Sequence, residues 1–280
     1  MSTATMRSSG NIGDIHAAIP AMKEFYRATG KKIILYLVNG QRAEYYEGAT
    51  HPTRNEKGEM VQLNMEMINM IIPLYLTFDF IEDVRVFNDE KIDVDLDIIR
   101  KTYVGMPSLS INRWFFYPLP DLACNTTTKW MDVPDSDKDL AKGKIAITRT
   151  ERYQNPQINY EFLKPYEDEC VFMGTMREYN NFCMGYDLNI KKLNISNFLE
   201  QAQALKQCKF HISNQTQAFQ LSQGLDIPRI LEVCGFAPNV IVYGDHAYDF
   251  LAQNALEYYF HKLNGTVADY FESIRNKKPS

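Results

Sequence analysis

The chain is poor in the residues that most often announce a chemistry. It holds five cysteines and five histidines in 280 residues. Cys124, Cys170, Cys183, Cys208 and Cys234 are scattered, and none forms a C-x-x-C pair. An odd, dispersed set excludes a disulfide framework and reads as free thiols in a reducing compartment. His16, His51, His211, His246 and His261 show no H-x-x-x-H or Cys/His ligand spacing, so no metal site is expected. Long apolar runs are also missing. The densest, "MINMIIPLYL" over 67–76, is interrupted by Asn69 and Pro73 and falls short of the roughly 18 residues a membrane span needs. The first ten residues lack the apolar core of a leader, so a cytoplasmic protein without a transmembrane segment is expected. Charge of one sign is scarce too. Thirty Lys and Arg against 35 Asp and Glu give a net charge of −5, with no general attraction to nucleic acid or anionic lipid. Nucleic acid is therefore not the expected partner, and a peripheral membrane contact stays open.

What is present is a core. The apolar fraction of 45%, with 12% aromatics, is that of a globular protein. Strand-like and helix-like runs alternate along the chain. A short strand over 3–6 precedes a helical pattern over 15–29, closed by Gly30. "KKIILYLV" over 31–38 is a dense β-branched strand. A turn-rich loop over 39–59, a helix over 61–75 with Pro73 near its end, a strand over 83–88 and an alternating segment over 91–100 follow. The stretch "DVPDSDKDLAKGK" over 132–144 is charged, lacks apolar period and reads as an interdomain linker. The pattern then restarts. "KIAITRT", "ECVFMG", "KFHISN", "PRILEVC" and "NVIVYG" read as strands, separated by helical runs such as "NYEFLKPY", "REYNNFCMGY", "FLEQAQALKQC" and "QAFQLSQGL". A long aromatic helix over 246–263 ends the chain, apolar enough to cross back onto the first unit. The expected architecture is α/β: an N-terminal domain over 1–135, a second over 136–245, and a C-terminal segment over 246–280. Two doubly wound domains facing one another leave a central cleft at the carboxyl ends of both sheets, where ligands bind.

Three stretches place chemistry at that edge. Gly10-Asn11-Ile12-Gly13-Asp14 joins the first strand to the first helix. Glycines there allow close backbone approach, and the helix amino end attracts an anion. The loop is neither G-x-G-x-x-G nor a P-loop. Asp14 is either the N-cap of the helix or a general base at the cleft. In the second unit, Asn214, Gln215 and Thr216 join a strand to a helix, where they can cap it or bind phosphate. Glu232 closes the next strand, suited to a ribose diol or to a salt bridge. Arg149 and Arg152 follow the first strand of this unit and can fork onto phosphate oxygens or simply stay solvated. "FMGTMREY" ends a strand in a Gly174 turn with Glu178 in the next helix.

Taken together, "SGNIGDIHAAIPAMKEF", "MGTMRE" and "FHISNQTQAFQLSQGLDIPRILE" resemble, in order, three segments of the ADP-heptose:lipopolysaccharide heptosyltransferases, glycosyltransferases of GT-B fold. The likeness covers both domains and is thin over 40–130. It implies two Rossmann-like domains facing a central cleft, the first holding the acceptor and the second a nucleotide-sugar, with a C-terminal helix crossing back to the first domain. It further implies metal-independent, inverting transfer to a hydroxyl of a glycan or glycolipid, with no cofactor beyond the nucleotide-sugar co-substrate. On this resemblance Asp14 matches the general base and Gly13, with Gly10 and Asn11, the loop beside it. Asn214, Gln215 and Thr216 match a sugar- and phosphate-binding trio, and Glu178 a glutamate near the nucleotide. Gln215 stands where the family has an aspartate, and no counterpart of the family's lysine is evident, a role Arg149 or Arg152 can take. Two further readings keep the fold: a transferase acting on modified DNA bases, and a catalytically degenerate protein that binds a nucleotide or a partner.

Overall fold

A computed structural model of the chain describes residues 2–44, 53–101 and 110–276. His51 and part of the loop expected over 39–59 lie outside the described residues. The first sheet has four parallel strands, β1 (Thr3–Ser8), β2 (Lys32–Leu37), β3 (Ile81–Val86) and β4 (Val94–Asp95), in the order β3-β2-β1-β4. In β2, Ile33, Leu35 and Leu37 are fully buried, as the β-branched run demands. Helices α1 (Ile12–Ala17), α2 (Ile19–Thr29) and α3 (Met65–Tyr75) cover the sheet, and a single turn, α4 (Ile111–Trp114), follows.

The one helix expected over 15–29 is two, broken at Ala18. Pro20 stands in the first turn of α2, where its missing N–H costs nothing; in a continuous helix it would leave the carbonyl four residues back unpaired. Gly30 ends α2 at φ 67°, in the left-handed region that glycine tolerates best. The alternating segment over 91–100 supplies the short β4 and then a 3-10 turn, Leu96–Arg100.

The second sheet has six parallel strands: β5 (Ile145–Thr148), β6 (Cys170–Phe172), β7 (Lys191–Lys192), β8 (Phe210–Asn214), β9 (Arg229–Glu232) and β10 (Ala247–Phe250). Their order is β10-β9-β8-β5-β6-β7. This is the doubly wound arrangement, and its strand order reverses between β5 and β8. Helices α5 (Met176–Tyr186), α6 (Phe198–Gln207), α7 (Gln217–Leu225), α8 (Gln253–Asn264) and α9 (Val267–Asn276) complete the unit. A 3-10 run, Glu161–Glu169 with Pro165 inside it, replaces the helix expected there.

Two expectations need correction. "NVIVYG" over 239–244 is not a strand. Its backbone groups are taken by side chains instead. Gln223 Nε2 donates to the Ile241 carbonyl at 2.8 Å, the Tyr243 N–H donates to Gln223 Oε1 at 3.3 Å, and Arg229 donates to the Tyr243 carbonyl. The sheet edge goes to residues 247–250, which were read as the start of the final helix. That helix, shortened to α8, packs on the second domain rather than crossing to the first. Leu256 and Phe260 are fully buried in a core with Tyr160, Leu163, Phe210 and Ile230, and α9 folds back on α8 through Tyr270. Phe260 meets Phe210 edge-on at 5.6 Å, and this aromatic packing fixes where the helix docks.

The two domains are joined by a packed seam. Helix α1 lies on α7 and α3 on α6. Ile15, Ala18, Ile19, Ile68 and Ile71 share one apolar core with Phe198, Ala202, Leu205 and Leu221. Gly224 of α7 lets the crossing chain close in. A Cβ there would lie 2.6 Å from Trp130 Nε1, and its carbonyl accepts the N–H groups of Trp130 and Met131 at 3.2 and 3.0 Å. Residues 132–144 are then strapped onto α6, where Lys206 Nζ donates to the Val133 carbonyl and Gln207 Nε2 to that of Lys138.

Candidate functional site

Both sheets present their carboxyl edges at the top of this seam, because α1 leaves β1 and α7 leaves β8 at that end. A Cβ built on Gly13 would sit 3.8 Å from the Gln217 backbone nitrogen, so the amino ends of the two helices meet.

On the first-domain side, the N-cap of α1 is Asn11, not Asp14. Asn11 Oδ1 accepts the Asp14 N–H at 3.2 Å, and Asp14 Oδ2 accepts the Asn11 N–H at 3.3 Å, a reciprocal capping box. The same Asp14 oxygen accepts from Arg100, an ion pair whose carboxylate is nearly buried and whose guanidinium is half-exposed. Gly10 is required by close approach, since a Cβ there would fall 2.8 Å from Asp14 Cβ. The loop is anchored below by Asp97, whose two oxygens accept the Ser9 N–H at 2.8 and 2.9 Å. Burial lifts the Asp97 carboxyl above its ordinary range despite those bonds.

On the second-domain side, the three consecutive polar residues turn inward. Asn214 is fully buried and grips the loop after β5. Its Nδ2 donates to the carbonyls of Thr150 and Arg152 at 3.1 and 2.7 Å, and its Oδ1 accepts the Thr150 N–H at 3.1 Å. Gln215 grips the loop after β9. Its Nε2 donates to the Ala237 carbonyl at 2.7 Å and to Asn239 Oδ1 at 2.8 Å, and its Oε1 accepts the Cys234 N–H at 2.6 Å. An aspartate there is shorter and, ionised, has no donor for two of those partners. Thr216 caps α7, its Oγ1 accepting the N–H groups of Ala218 and Phe219 at 3.2 and 3.4 Å.

Arg149 and Glu232, expected as separate contacts to phosphate and ribose, are each other's partners. Nε and Nη2 of Arg149 donate to the two Glu232 oxygens at 2.7 and 2.8 Å. Glu232 also accepts the Asn155 N–H at 2.5 Å and the Tyr160 hydroxyl at 2.8 Å, and Arg149 donates to the Tyr186 hydroxyl at 2.8 Å. The arginine is 6% exposed and the glutamate not at all. Burial opposes the Arg149 charge, but Glu232 and the flanking tyrosines hold its pKa above the ordinary value. The Tyr160 hydroxyl is pushed well up by burial and by the Glu232 charge. Glu178 closes the capping box of α5. It accepts the Thr175 N–H at 2.8 Å and hydroxyl at 2.9 Å.

Arg152, the second arginine expected at the site, is half-buried, with its guanidinium over the Tyr153 ring at 5.6 Å. Sequence reasoning passed over three neighbours: Arg100, Tyr153 and Phe236. No spacing marks them. Arg100 ends a 3-10 turn, and Tyr153 and Phe236 lie in loops whose position only the fold sets. Among the described residues, no group of three or more His, Cys, Asp or Glu side chains could hold a metal ion, and no helix is long and apolar enough to cross a membrane.

No protein-family model and no curated protein sequence matches the chain. Solved structures match in fold. The E. coli ADP-heptose LPS heptosyltransferase II aligns at TM-score 0.59 with 9% identity, over 96% of this chain and 99% of that one. The E. coli heptosyltransferase WaaC with ADP aligns at 0.58 and 11%, over 93% and 99%. A family 9 glycosyltransferase from Veillonella parvula DSM 2008 aligns at 0.52 and 10%, over 95% and 90%. The chain therefore has the two-domain GT-B fold of these enzymes, at an identity that speaks for the fold alone.

Proposed function

We propose that this chain, with the GT-B fold just described, is a glycosyltransferase that moves a sugar from a nucleotide-sugar to a hydroxyl of a glycan or glycolipid, with inversion and without a metal. The observation that carries the reading is the meeting of the α1 and α7 amino ends, each at the point where its sheet's strand order reverses. Asp14 stands on one side of that junction and the Asn214–Thr216 turn on the other. In this reading Asp14 takes the proton of the acceptor hydroxyl as it attacks the anomeric carbon, a task worth roughly 10²–10⁴-fold. The leaving diphosphate gains negative charge, which Arg152 and the positive end of α7 offset. Arg149 and Glu232 act one layer below, setting the height of the loop that carries Arg152. Because Arg100 shares the carboxylate, Asp14 becomes a free base once an incoming anionic group draws the guanidinium away.

The same ion pair favours a second reading. With Asp14 held by Arg100 and by its own capping box, a catalytically degenerate protein that only binds a nucleotide would look the same at this edge. Turnover separates the two. A panel of UDP-, GDP-, ADP- and CMP-sugars, assayed for hydrolysis and for transfer to hydroxyl acceptors, should show activity in the wild type. Asp14→Asn should abolish it while nucleotide-sugar affinity stays near wild type. Retained turnover in that variant removes Asp14 from the mechanism, and a wild type that binds but never turns over supports the degenerate protein.

A further inference from the structure

Helix α4 is a single turn, yet it touches both of the helices whose amino ends meet at the junction. Its Asn112 is fully buried, and both hydrogens of the side-chain amide are used. Nδ2 donates to the carbonyl of Ala17, the last residue of α1, at 3.1 Å and to Oε1 of Gln220 in α7 at 3.0 Å. A backbone carbonyl only accepts, so the Ala17 bond fixes which way the amide faces. The neighbouring Ile111 makes a second attachment. Its N–H donates to the Asn239 carbonyl at 2.9 Å, and Asn239 Oδ1 in turn accepts from Gln215 Nε2. The Ile111 side chain packs against the cluster of Phe219, Leu231 and Val240.

The spacing makes this amide a short lever. Asp14 lies three residues before Ala17, about 4.5 Å of helix rise, and Thr216 lies four residues before Gln220. Asn112 therefore ties α1 to α7 one turn below Asp14 and the α7 cap, while Gly13 meets Gln217 above. The apolar core that the two helices share gives cohesion but no fixed register. A buried amide in an apolar interface sets one, as an asparagine does inside a coiled coil. For packing alone it is a poor choice, since Asn112 Oδ1 is buried with no partner among the described residues, which costs stability. We infer that Asn112 is a positioning residue: through Ala17 and Gln220 it sets the register of α1 against α7, and with it the gap between Asp14 and the amino end of α7. Fully buried, it acts on the reaction only through the two helices. This inference rests on the transfer proposed above and adds to it the contact that aligns the two halves of the site.

Steady-state turnover of the UDP-, GDP-, ADP- and CMP-sugar panel by the full chain tests it, with calorimetric titration of the matching nucleoside diphosphates. Gln220→Met keeps the volume and removes the acceptor. It should lower kcat about tenfold, since ångström-scale misplacement of a reacting group costs up to about 10²-fold, while donor KM and nucleoside diphosphate affinity stay near wild type. Asn112→Ala should lower kcat at least as far. The double variant should fall no further than Asn112→Ala alone, because the two side chains act through one bond. Where Asn112→Ala fails to fold, Gln220→Met decides. A residue that merely stabilises the fold would shift Tm and leave kcat, measured well below Tm, unchanged. If the wild type turns over and Gln220→Met keeps its kcat, the positioning role is wrong and the transfer reading stands. Losses that simply multiply in the double variant also overturn it, since the two side chains would then act apart. A wild type that turns over no member of the panel overturns the inference and the transfer reading together.

Discussion

Two arginine–carboxylate pairs stand at the carboxyl edges of the two sheets, and they differ in what surrounds them. Arg149–Glu232 in the second domain is closed. Both side chains are buried, and the carboxylate accepts four hydrogen bonds from Arg149, Asn155 and Tyr160. Asp14–Arg100 in the first domain is open on one side, the arginine side chain being 45% exposed. Identical chemistry therefore serves two ends. A pair with every lone pair filled and both side chains buried is a structural pin. A pair with one solvated partner can exchange that partner for a substrate group. The comparison teaches that burial of both members, not their identity or their place at a strand end, decides which pair is closed to solvent.

Glu232→Gln should break the closed pair with the largest effect. It leaves the Arg149 charge buried without its counter-charge, and destabilisation of about 3–5 kcal/mol is expected, read from urea unfolding. A loss under about 1 kcal/mol would mean that water or another acceptor reaches Arg149.

Acid sharpens the contrast between the seam and the second sheet. His16, in the seam against Tyr75 and Phe198, and His211, in β8 beside Thr148, are both held at a pKa of about 3, by burial in each case and for His211 also by Arg229. The folded pKa lies below the unfolded value of about 6.5, so the unfolded chain takes up protons first. The stability from keeping them neutral is complete above pH 6.5 and is lost as pH falls toward 3. Between pH 6 and 5 the two histidines should together remove roughly 2 kcal/mol, measured as a fall in the denaturation midpoint. A flat profile over that unit would show that water reaches both rings in the folded state.

Gly224→Ala tests whether the seam is as closed as the Arg149 site. The added methyl meets Trp130 and Met131 with nowhere to go, and about 1–3 kcal/mol of overpacking is expected in thermal unfolding. An unchanged Tm would mean the crossing chain can lift off α7.

The smallest stability effect belongs to the open pair. Arg100→Ala should cost no more than about 1 kcal/mol, because solvent already screens the guanidinium. On the proposed reading its signature should lie in turnover of the nucleotide-sugar panel, which should change while stability barely moves. Unchanged turnover would show that Arg100 does not govern Asp14.

Much of this was legible along the chain. Dense runs such as 32–37 and 210–214 bury both faces and had to be strands, and Gly30 marked its helix end through the one conformation glycine favours. The Gly10–Asp14 stretch and the Asn214–Thr216 turn were placed at strand ends by the change from strand to helix pattern. Other features were not legible, because they depend on contacts between distant segments. The run 239–244 has the composition of a strand, yet Gln223 and Arg229 satisfy its backbone first. The aromatic stretch after residue 246 has helical period, yet its first residues fill the open edge of β9 and its helix follows Phe210 and Tyr160 into the second core.

By its own order of residues, then, the chain determined that it would be two parallel α/β units with polar turns at their carboxyl edges, since period, β-branching and turn chemistry act over a few residues. Only the tertiary structure decided which polar side chains became internal clamps and which faced outward. That choice depends on whether a polar group 20 to 90 residues away arrives within hydrogen-bond reach, as Arg149 finds the Glu232 carboxylate and Gln215 the Ala237 carbonyl, and no local pattern encodes that meeting.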